Sequence, residues 1–434
     1  MKPVRLAILG LGTVGGGALK LLQENAAEIR RRTDREIQIT HVGTRRPRPD
    51  LNLADSVKQS ADLMDIVRQP DVDVVVEVMG GIHPAYELIM EAMKHGKHVV
   101  TANKALLAEH GTALFKAADE YKVQIAYEAA VAGGIPIIKV IREGLAANRI
   151  DWLAGIINGT GNFILSEMRE KGRTFDDVLK EAQELGYAEA DPTFDVEGID
   201  AAHKLTLLAS IAFGIPLQFD KVFTEGISKI TAQDVKYAEA LGFRIKHLGI
   251  ARRAATGIEL RVHPTLIPTE ELLANVNGVK NAVLVQSNAV GPTLYYGAGA
   301  GAGPTASAVV ADIVDIVRDI IYTEDGAGTI PQLAFENLTD LPILSREEMT
   351  TGYYIRINAD DQTGVLAEVT SILSRNGISI DAIMQQSRLK DLIPIVILTD
   401  PVKEAKMDEA LKQIQALPVI HGEIVRIRLE SLDN

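Results

Sequence analysis

The stretch VRLAILGLGTVG, Val4 to Gly15, sets a short apolar strand pattern directly before the spacing G-x-G-x-x-G. An Ala/Leu-rich helical pattern follows, from about Thr13 to Ile29. A glycine loop between a strand and a helix is the context in which this spacing signals a dinucleotide. Gly10 permits the tight turn, Gly12 lets a pyrophosphate approach the backbone, and Gly15 lets helix and strand pack closely. The helix N-terminus offers unpaired N–H groups to the anion. A glycine-rich turn in a nucleotide-free α/β domain is the competing reading, and the context favours the nucleotide.

Outward from this loop the pattern stays strand, turn, helix. A second strand, Ile37 to Val42, ends in GTRRPRP. There a carboxylate would suit the ribose 2′-OH of NAD, whereas Arg45 and Arg46 suit the 2′-phosphate of NADP. NADP is therefore expected over NAD, with a solvated basic loop as the alternative. Val72 to Val78 is a continuous apolar strand of the kind buried in a parallel sheet. A helix from His83–Pro84 to about His95 and the strand–helix KHVVTANKALLA follow, with Lys104 at the junction where such sheets bind ligands. Gln124 to Tyr127 adds a strand running into EAAVAGGIPII, which reads as a structural turn or as carbonyls that hold a cation beside Glu128. The expectation for residues 1–135 is a Rossmann-type, doubly wound parallel α/β sheet.

From Pro136 the pattern changes to an α+β segment with a mixed or antiparallel sheet, residues 136–322. A helix is expected over Ile137 to Ala146, then a strand near Trp152 to Ile157. NGTGNF then offers Asn158, Gly159 and Thr160 as a helix cap or a substrate-contacting loop. After a helix from Phe175 to Leu185 comes YAEADPTFDVEGIDAAHK, Tyr187 to Lys204, with Glu189, Asp191, Asp195, Glu197 and Asp200 close together. Pro192 and Gly198 put the early acids on a loop, and helical spacing resumes after Gly198. Asp200 and Lys204 then lie one turn apart. They form either a surface salt bridge beside a solvated acidic loop or part of a pocket in which acids hold an ammonium and Lys204 serves a reacting oxygen. Segments near Ile245–Ile250, Ile258–Val262, Val283–Ser287 and Thr293–Tyr296 read as an antiparallel sheet. A sheet face left uncovered makes a homodimer or homotetramer the expected assembly.

Gly297 to Ile320 is a glycine-rich lead into a long apolar helix, which is expected to return to the nucleotide domain over about 305–321. Residues 323–350 lack a period and read as a linker. Residues 351–430 give β-α-β-β-α-β, a ferredoxin-like sandwich whose edge strands invite a second copy.

Composition limits the partners. A formal net charge of −13 argues against nucleic acid or an anionic membrane. No run of about 18 apolar residues marks a transmembrane helix. The absence of cysteine removes disulfides and thiolate chemistry and suits a reducing cytoplasm. Reduction of a carbonyl by hydride needs positive charge or a proton where the alkoxide develops, and without a histidine constellation lysine is the candidate.

The motifs GLGTVG, TANK, YEAAVAGGIPI, NGTGNF and GYAEADPTFDVEGIDAAHK resemble those of bacterial monofunctional homoserine dehydrogenases with a C-terminal ACT domain, across essentially the whole chain. The resemblance implies NAD(P)H-dependent, reversible reduction of L-aspartate 4-semialdehyde to L-homoserine, toward threonine, methionine and isoleucine. It implies that Glu189 and Asp195 hold the amino-acid end of this small-molecule substrate, with Gly159 and Thr160 nearby. Lys204, oriented by Asp200, would donate the proton, and Lys104 would sit beside the nicotinamide. Leu11, Thr13, Val14 and the loop near Gly303 would touch the cofactor. A sodium ion would be held by Glu128 and by carbonyls at Val131, Gly133 and Ile135. A threonine effector is implied near Asp361–Gly364 or Asn376. Another amino-acid Rossmann oxidoreductase and a non-catalytic amino-acid sensor are the competing functions; a sensor gives no reason for Asp200 and Lys204 beside a nucleotide fold.

Overall fold

In a computed structural model of the chain, residues 2–46, 48, 50–51, 53–324, 340–385, 392–430 and 432 are described. The chain forms two compact units: Met1–Leu153 with Asp200–Asp220 and Lys280–Leu341, and Ala154–Ile199 with Lys221–Val279 and Pro342–Asn434.

The first unit opens with β1 (Val4–Leu9), α1 (Thr13–Glu24), α2 (Ala26–Thr33), β2 (Ile37–Gly43), β3 (Lys58–Ser60), α3 (Leu63–Arg68), β4 (Val74–Glu77), α4 (Ala85–Lys94), β5 (His98–Thr101), α5 (Lys104–Glu120) and β6 (Ile125–Ala126). Their sheet runs β3-β2-β1-β4-β5-β6 with every pairing parallel. This is the Rossmann-type order, and the reversal between β1 and β4 opens the crevice where such sheets take ligands. Two details depart from the sequence reading. The first helix ends at Glu24 because Asn25 leaves helical geometry at φ −104, ψ 18. The elements β3 and α3 are too short to show a period.

The chain continues through α6 (Ile137–Lys139), a π turn to Gly144, β7 (Ile150–Ile156), α7 (Gly159–Lys171), α8 (Phe175–Glu184), α9 (Thr193–Val196) and α10 (Ile199–Phe213). Asp195 thus lies in a one-turn helix rather than a loop, because Pro192 at its N-cap is compatible with a helix start. Then come β8 (Phe223–Thr224), α11 (Ala232–Ala240), β9 (Phe243–Ala254), β10 (Gly257–Pro268), β11 (Lys280–Ser287), β12 (Gly291–Ala298) and α12 (Ala302–Glu324). In the first unit α12 packs on α1 and β1 through Ala306, Val309 and Ile313, all buried.

The C-terminal elements are β13 (Thr350–Asp360), α13 (Val365–Arg375), β14 (Ile380–Gln385), β15 (Leu392–Lys403), α14 (Glu404–Gln415) and β16 (Ile420–Leu429), the expected βαββαβ order. One sheet face, with Tyr353, Ile355 and Ile357, packs on α13 and α14. The opposite face, with Tyr354, Val396, Leu398 and Ile427, shares a core with Phe163 and Ile164 of α7 and Tyr237 of α11. Alternation along β13 produces both faces.

Two sequence readings change here. One of the two edge strands expected to recruit a second copy is paired within the chain, since β16 runs parallel to β10 through Thr265↔Arg428 and Leu266↔Leu429, while β14 stays at the end of the sheet. The segment read as a linker over 323–350 is anchored at its far end. Ile258 N–H donates to the Pro342 carbonyl and Leu344 N–H to the Ile258 carbonyl, both at 2.8 Å. Residues 325–339 of that segment lie outside the described residues. Among the described residues no helix is long and apolar enough to cross a membrane.

Candidate active site

The glycine loop is built as its spacing requires. Gly10 adopts φ +98, and a Cβ on Gly15 would lie 1.9 Å from the Gly10 carbonyl oxygen. A Cβ on Gly12 would meet nothing within 4 Å. Gly15 therefore serves packing, while Gly12 leaves open space at the start of α1, whose N-cap lacks a side-chain hydrogen bond. Gly12 and Thr13 are exposed, Val14 is partly exposed and Leu11 is buried. These residues fit a dinucleotide phosphate: the helix N-terminus stands beside open space with no Cβ in the way. Gly303 lies in the first turn of α12, and a Cβ on Gly17 would lie 2.7 Å from the Ala302 carbonyl oxygen, so this turn sits on α1.

Arg45 and Arg46 follow β2 and are exposed. Arg48 is the arginine that reaches the glycine loop: its Nη1 donates to the Leu11 carbonyl. Its other guanidinium nitrogens form a fork onto Asp50 at 2.8 and 2.7 Å. The run of basic residues was visible in sequence, but which arginine turns back on the loop was not.

At the carboxyl end of β4, Glu77 is fully buried, which pushes its carboxyl up from the ordinary range. Thr101 Oγ1 donates to Glu77 Oε2 at 2.7 Å and Met79 N–H to Oε1 at 2.8 Å. Asn103 caps α5 by accepting from Leu106 N–H and donates to the Gly81 carbonyl at 2.6 Å. One carboxylate thus ties the turn after β4 to the turn that starts the Lys104 helix. Nothing in the sequence pattern singled out Glu77, since an acid ending an apolar strand is indistinguishable from a solvated one.

Lys104, Asp200 and Lys204 come together in this unit. Asp200 Oδ2 accepts from Lys204 Nζ at 2.7 Å, and Asp200 Oδ1 lies 3.2 Å from Lys104 Nζ. The side chains of Asp200 and Lys204 are 6% and 11% exposed, which removes the surface salt-bridge reading. Lys104, at 34%, remains reachable. Two ammoniums meet at one carboxylate, in surroundings where charge interactions are weakly screened. Such a cluster suits an oxygen that gains negative charge. Beside it, His203 is buried, and desolvation lowers its imidazole to about 4, so it stays neutral at ordinary pH.

In the second unit Asn158 caps α7 by accepting from Gly161 N–H at 2.7 Å, and its Nδ2 donates to Asp195 Oδ1 at 2.7 Å. Thr160 Oγ1 donates to the Tyr187 carbonyl at 2.6 Å. NGTGNF and the acidic stretch are therefore neighbours, with Gly159 in the first turn of α7 and Glu189 exposed. Asn158 supplies both the cap and the link, so its two candidate roles coincide.

The Glu128 carboxylate turns onto the helix that follows its loop. Glu128 Oε1 accepts from Ile138 N–H at 2.8 Å and Oε2 from Lys139 N–H at 2.9 Å. Burial pushes this carboxyl up to about 7. With these two N–H donors the carboxylate caps α6. The Glu128 and Ile135 carbonyls also accept backbone N–H groups, from Val131 and Ile137. Gly133, at φ +54, has no room for a Cβ beside Gly299. Each Glu128 carboxylate oxygen keeps a further acceptor position beyond its N–H bond.

Comparison with known proteins agrees with this geometry. Family models match for the homoserine dehydrogenase NAD binding domain over residues 10–128, for homoserine dehydrogenase over 136–314 and for the ACT domain over 353–419. A homoserine dehydrogenase of Pseudomonas aeruginosa is 60% identical, with 100% of both chains covered. The crystal structure of a homoserine dehydrogenase from Thiobacillus denitrificans has a TM-score of 0.95 at 57% identity, covering 100% of this chain and 99% of that one. A hyperthermophilic archaeal homoserine dehydrogenase in complex with NADPH has a TM-score of 0.63 at 27% identity, covering 73% and 98%. A glycine-loop domain, a lysine–aspartate–lysine cluster and a βαββαβ segment stand in one chain with these relatives, and the chain belongs to the homoserine dehydrogenase family of oxidoreductases.

Proposed function

We propose that this oxidoreductase interconverts L-aspartate 4-semialdehyde and L-homoserine, with NADP preferred over NAD, in the supply of threonine, methionine and isoleucine. The observation that carries the chemistry is the single Asp200 carboxylate shared by Lys204 and Lys104. Bound reduced nicotinamide supplies a hydride to the aldehyde carbon. As the oxygen gains charge, Lys204 gives it a proton from Nζ, and in the reverse direction neutral Lys204 takes the hydroxyl proton. Asp200 keeps the ammonium oriented and favours its charged form. Lys104 helps to polarise the same oxygen.

Glu189 and Asp195 are assigned to the amino-acid end of the substrate, with Gly159 and Thr160, on the strength of the matching motif. Gly10, Leu11, Gly12, Thr13, Val14, Gly15 and Gly303 are assigned to the cofactor. Arg45 and Arg46 are assigned to its 2′-phosphate because their exposure leaves both guanidiniums accessible. A sodium ion is assigned to the Glu128 carboxylate with the carbonyl oxygens of Val131, Gly133 and Ile135, on the strength of the matching motif. We divide the chain into nucleotide (1–135, with the helix after Ala302), substrate (136–322) and ACT (351–430) segments in a cytoplasmic homodimer or homotetramer. Threonine near Asp361–Gly364 or Asn376 is the proposed effector.

The test follows the absorbance of reduced nicotinamide with purified full-length chain and L-homoserine. Turnover that disappears in Lys204→Met supports the assignment. No turnover by the wild type, or turnover indifferent to that substitution, ends it.

A further inference from the structure

A cavity of about 490 Å³ lies in the first unit, at the amino ends of β1, β4 and β5. These strands pair in parallel, so this is the end of the sheet opposite the glycine loop and Lys104, which follow the carboxyl ends of β1 and β5. Four cationic residues line it, Lys2, Arg5, Arg35 and Lys97, against one carboxylate, Asp73. That carboxylate is committed to Arg5: it accepts from Nε at 3.0 Å, from Nη2 at 2.7 Å and from the backbone N–H at 2.8 Å. The acids nearby are engaged too, since Lys58 Nζ donates to Asp71 Oδ2 at 3.1 Å and Gln124 Nε2 to Asp319 Oδ2 at 2.5 Å. His98 adds no charge, because burial lowers its imidazole and its Nδ1 accepts from Gln124 N–H at 3.1 Å.

Lys97 is 7% exposed, and among the described residues its ammonium has neither a hydrogen bond nor an ion pair within 4 Å. Burial lowers it from its ordinary value, with Asp73 opposing. A buried charge without a close partner is costly, and an anion in the adjoining cavity would compensate it. The available donors select the kind of anion. A planar carboxylate is best held by a guanidinium fork, and the Arg5 fork is already closed on Asp73. What remains are separate donors: the Lys97 ammonium, the exposed Lys2 ammonium, and Arg5 Nη1, which has no hydrogen bond among the described residues. Point charges from different directions suit the three outer oxygens of a phosphate. Pro3 and Ile320 give the same cavity an apolar side, and its volume exceeds that of a bare phosphate.

We propose that this cavity binds a small phosphate monoester, its dianion on Lys97, Lys2 and Arg5 and its organic body against Pro3 and Ile320. The site lies away from the residues assigned to cofactor and substrate, and it does not depend on the reaction assigned to them.

The test uses calorimetry on the full-length chain at low salt and about pH 8, where a phosphate monoester is a dianion. Phenyl phosphate is expected to bind more tightly than inorganic phosphate, and phthalate, an aromatic dicarboxylate of the same charge, at least about tenfold more weakly. Lys97→Gln should weaken binding of phenyl phosphate about tenfold or more, the effect of losing a charged hydrogen-bond donor. Lys2→Glu, an exposed change that leaves the fold intact, should weaken it about threefold or more. Arg46→Gln, at the opposite end of the sheet, should retain it. No binding of phenyl phosphate, or binding unchanged in Lys97→Gln and Lys2→Glu, overturns the site. Binding lost in Arg46→Gln instead places the phosphate at the glycine loop and overturns it as well. Phthalate binding as tightly as phenyl phosphate overturns the choice of phosphate, and inorganic phosphate binding as tightly overturns the organic body. If Lys97→Gln fails to fold, Lys2→Glu decides alone.

Discussion

Asp200 holds Lys204 one helical turn away at 2.7 Å, with both side chains almost wholly out of solvent. A buried ammonium persists only where a carboxylate compensates it, and the second oxygen of this carboxylate serves Lys104. Lys204→Met should lower kcat by about 10²–10⁴, the usual range for losing a general acid, with KM for homoserine little changed. Asp200→Asn should retain part of that rate, because the ammonium loses its compensation but not its presence. Steady-state kinetics at the reduced-nicotinamide absorbance checks both, and an Asp200→Asn rate below that of Lys204→Met would reverse the roles.

The glycine loop gives a prediction in which two similar substitutions part company. Gly15→Ala drives a Cβ into the Gly10 carbonyl, with 1.9 Å between them, so it should unfold or strongly destabilise the chain. Gly12→Ala meets no protein atom within 4 Å. It should fold normally and raise the KM for cofactor. Thermal melting beside cofactor titration distinguishes them, and a normal cofactor KM in Gly12→Ala would mean that the pyrophosphate does not approach this backbone.

Lys246 is buried, and desolvation, aided by Arg169 and Arg244, lowers its ammonium from 10.5 to about 7. The folded chain then binds fewer protons at this site than the unfolded chain between those values, so stability rises with pH across that window. The contribution is fully present above 10.5 and is lost as pH falls through about 7. Lys246→Met should flatten the melting temperature over this range relative to wild type, although it also removes hydrogen bonds to Asn162 and Asn277. Parallel slopes for the two proteins would show that the ammonium titrates normally.

Glu404 lies at the centre of the charged cluster in the C-terminal segment. It accepts from Tyr353 OH at 2.5 Å and from Arg428 Nε at 3.0 Å, and it lies 3.0 Å from Arg346 Nη2. Glu404→Ala leaves the buried Arg428 without its main partner. It should cost about 3–5 kcal/mol in urea unfolding, the range for breaking a buried pair from one side. A loss below about 1 kcal/mol, as for a surface pair, would mean that water compensates the cluster.

Truncation at residue 351 should not yield an active core. It would strip β16 from β10 and uncover the core shared by Tyr354, Val396 and Phe163. Burying each large side chain contributes about 1.5–3 kcal/mol, so the remainder should aggregate or melt well below the full chain. A soluble truncated chain with wild-type turnover would show that the segment is dispensable.

Much of this protein could be read locally. The glycine spacing, the strand Val4–Leu9, the βαββαβ order and the one-turn spacing of Asp200 and Lys204 all depend on periods and turn chemistry within a few residues. Single short elements were lost: β3, α3 and the one-turn helix that carries Asp195 have no period to show.

Tertiary structure alone brought Lys104 to the carboxylate that already held Lys204, placed Arg48 on the glycine loop, turned Glu128 into a cap for α6, and joined β16 to β10. None of these could be inferred from periodicity. A residue's neighbours in sequence decide how its own backbone coils, but its partner from a hundred residues away depends on which surfaces the whole chain buries against each other.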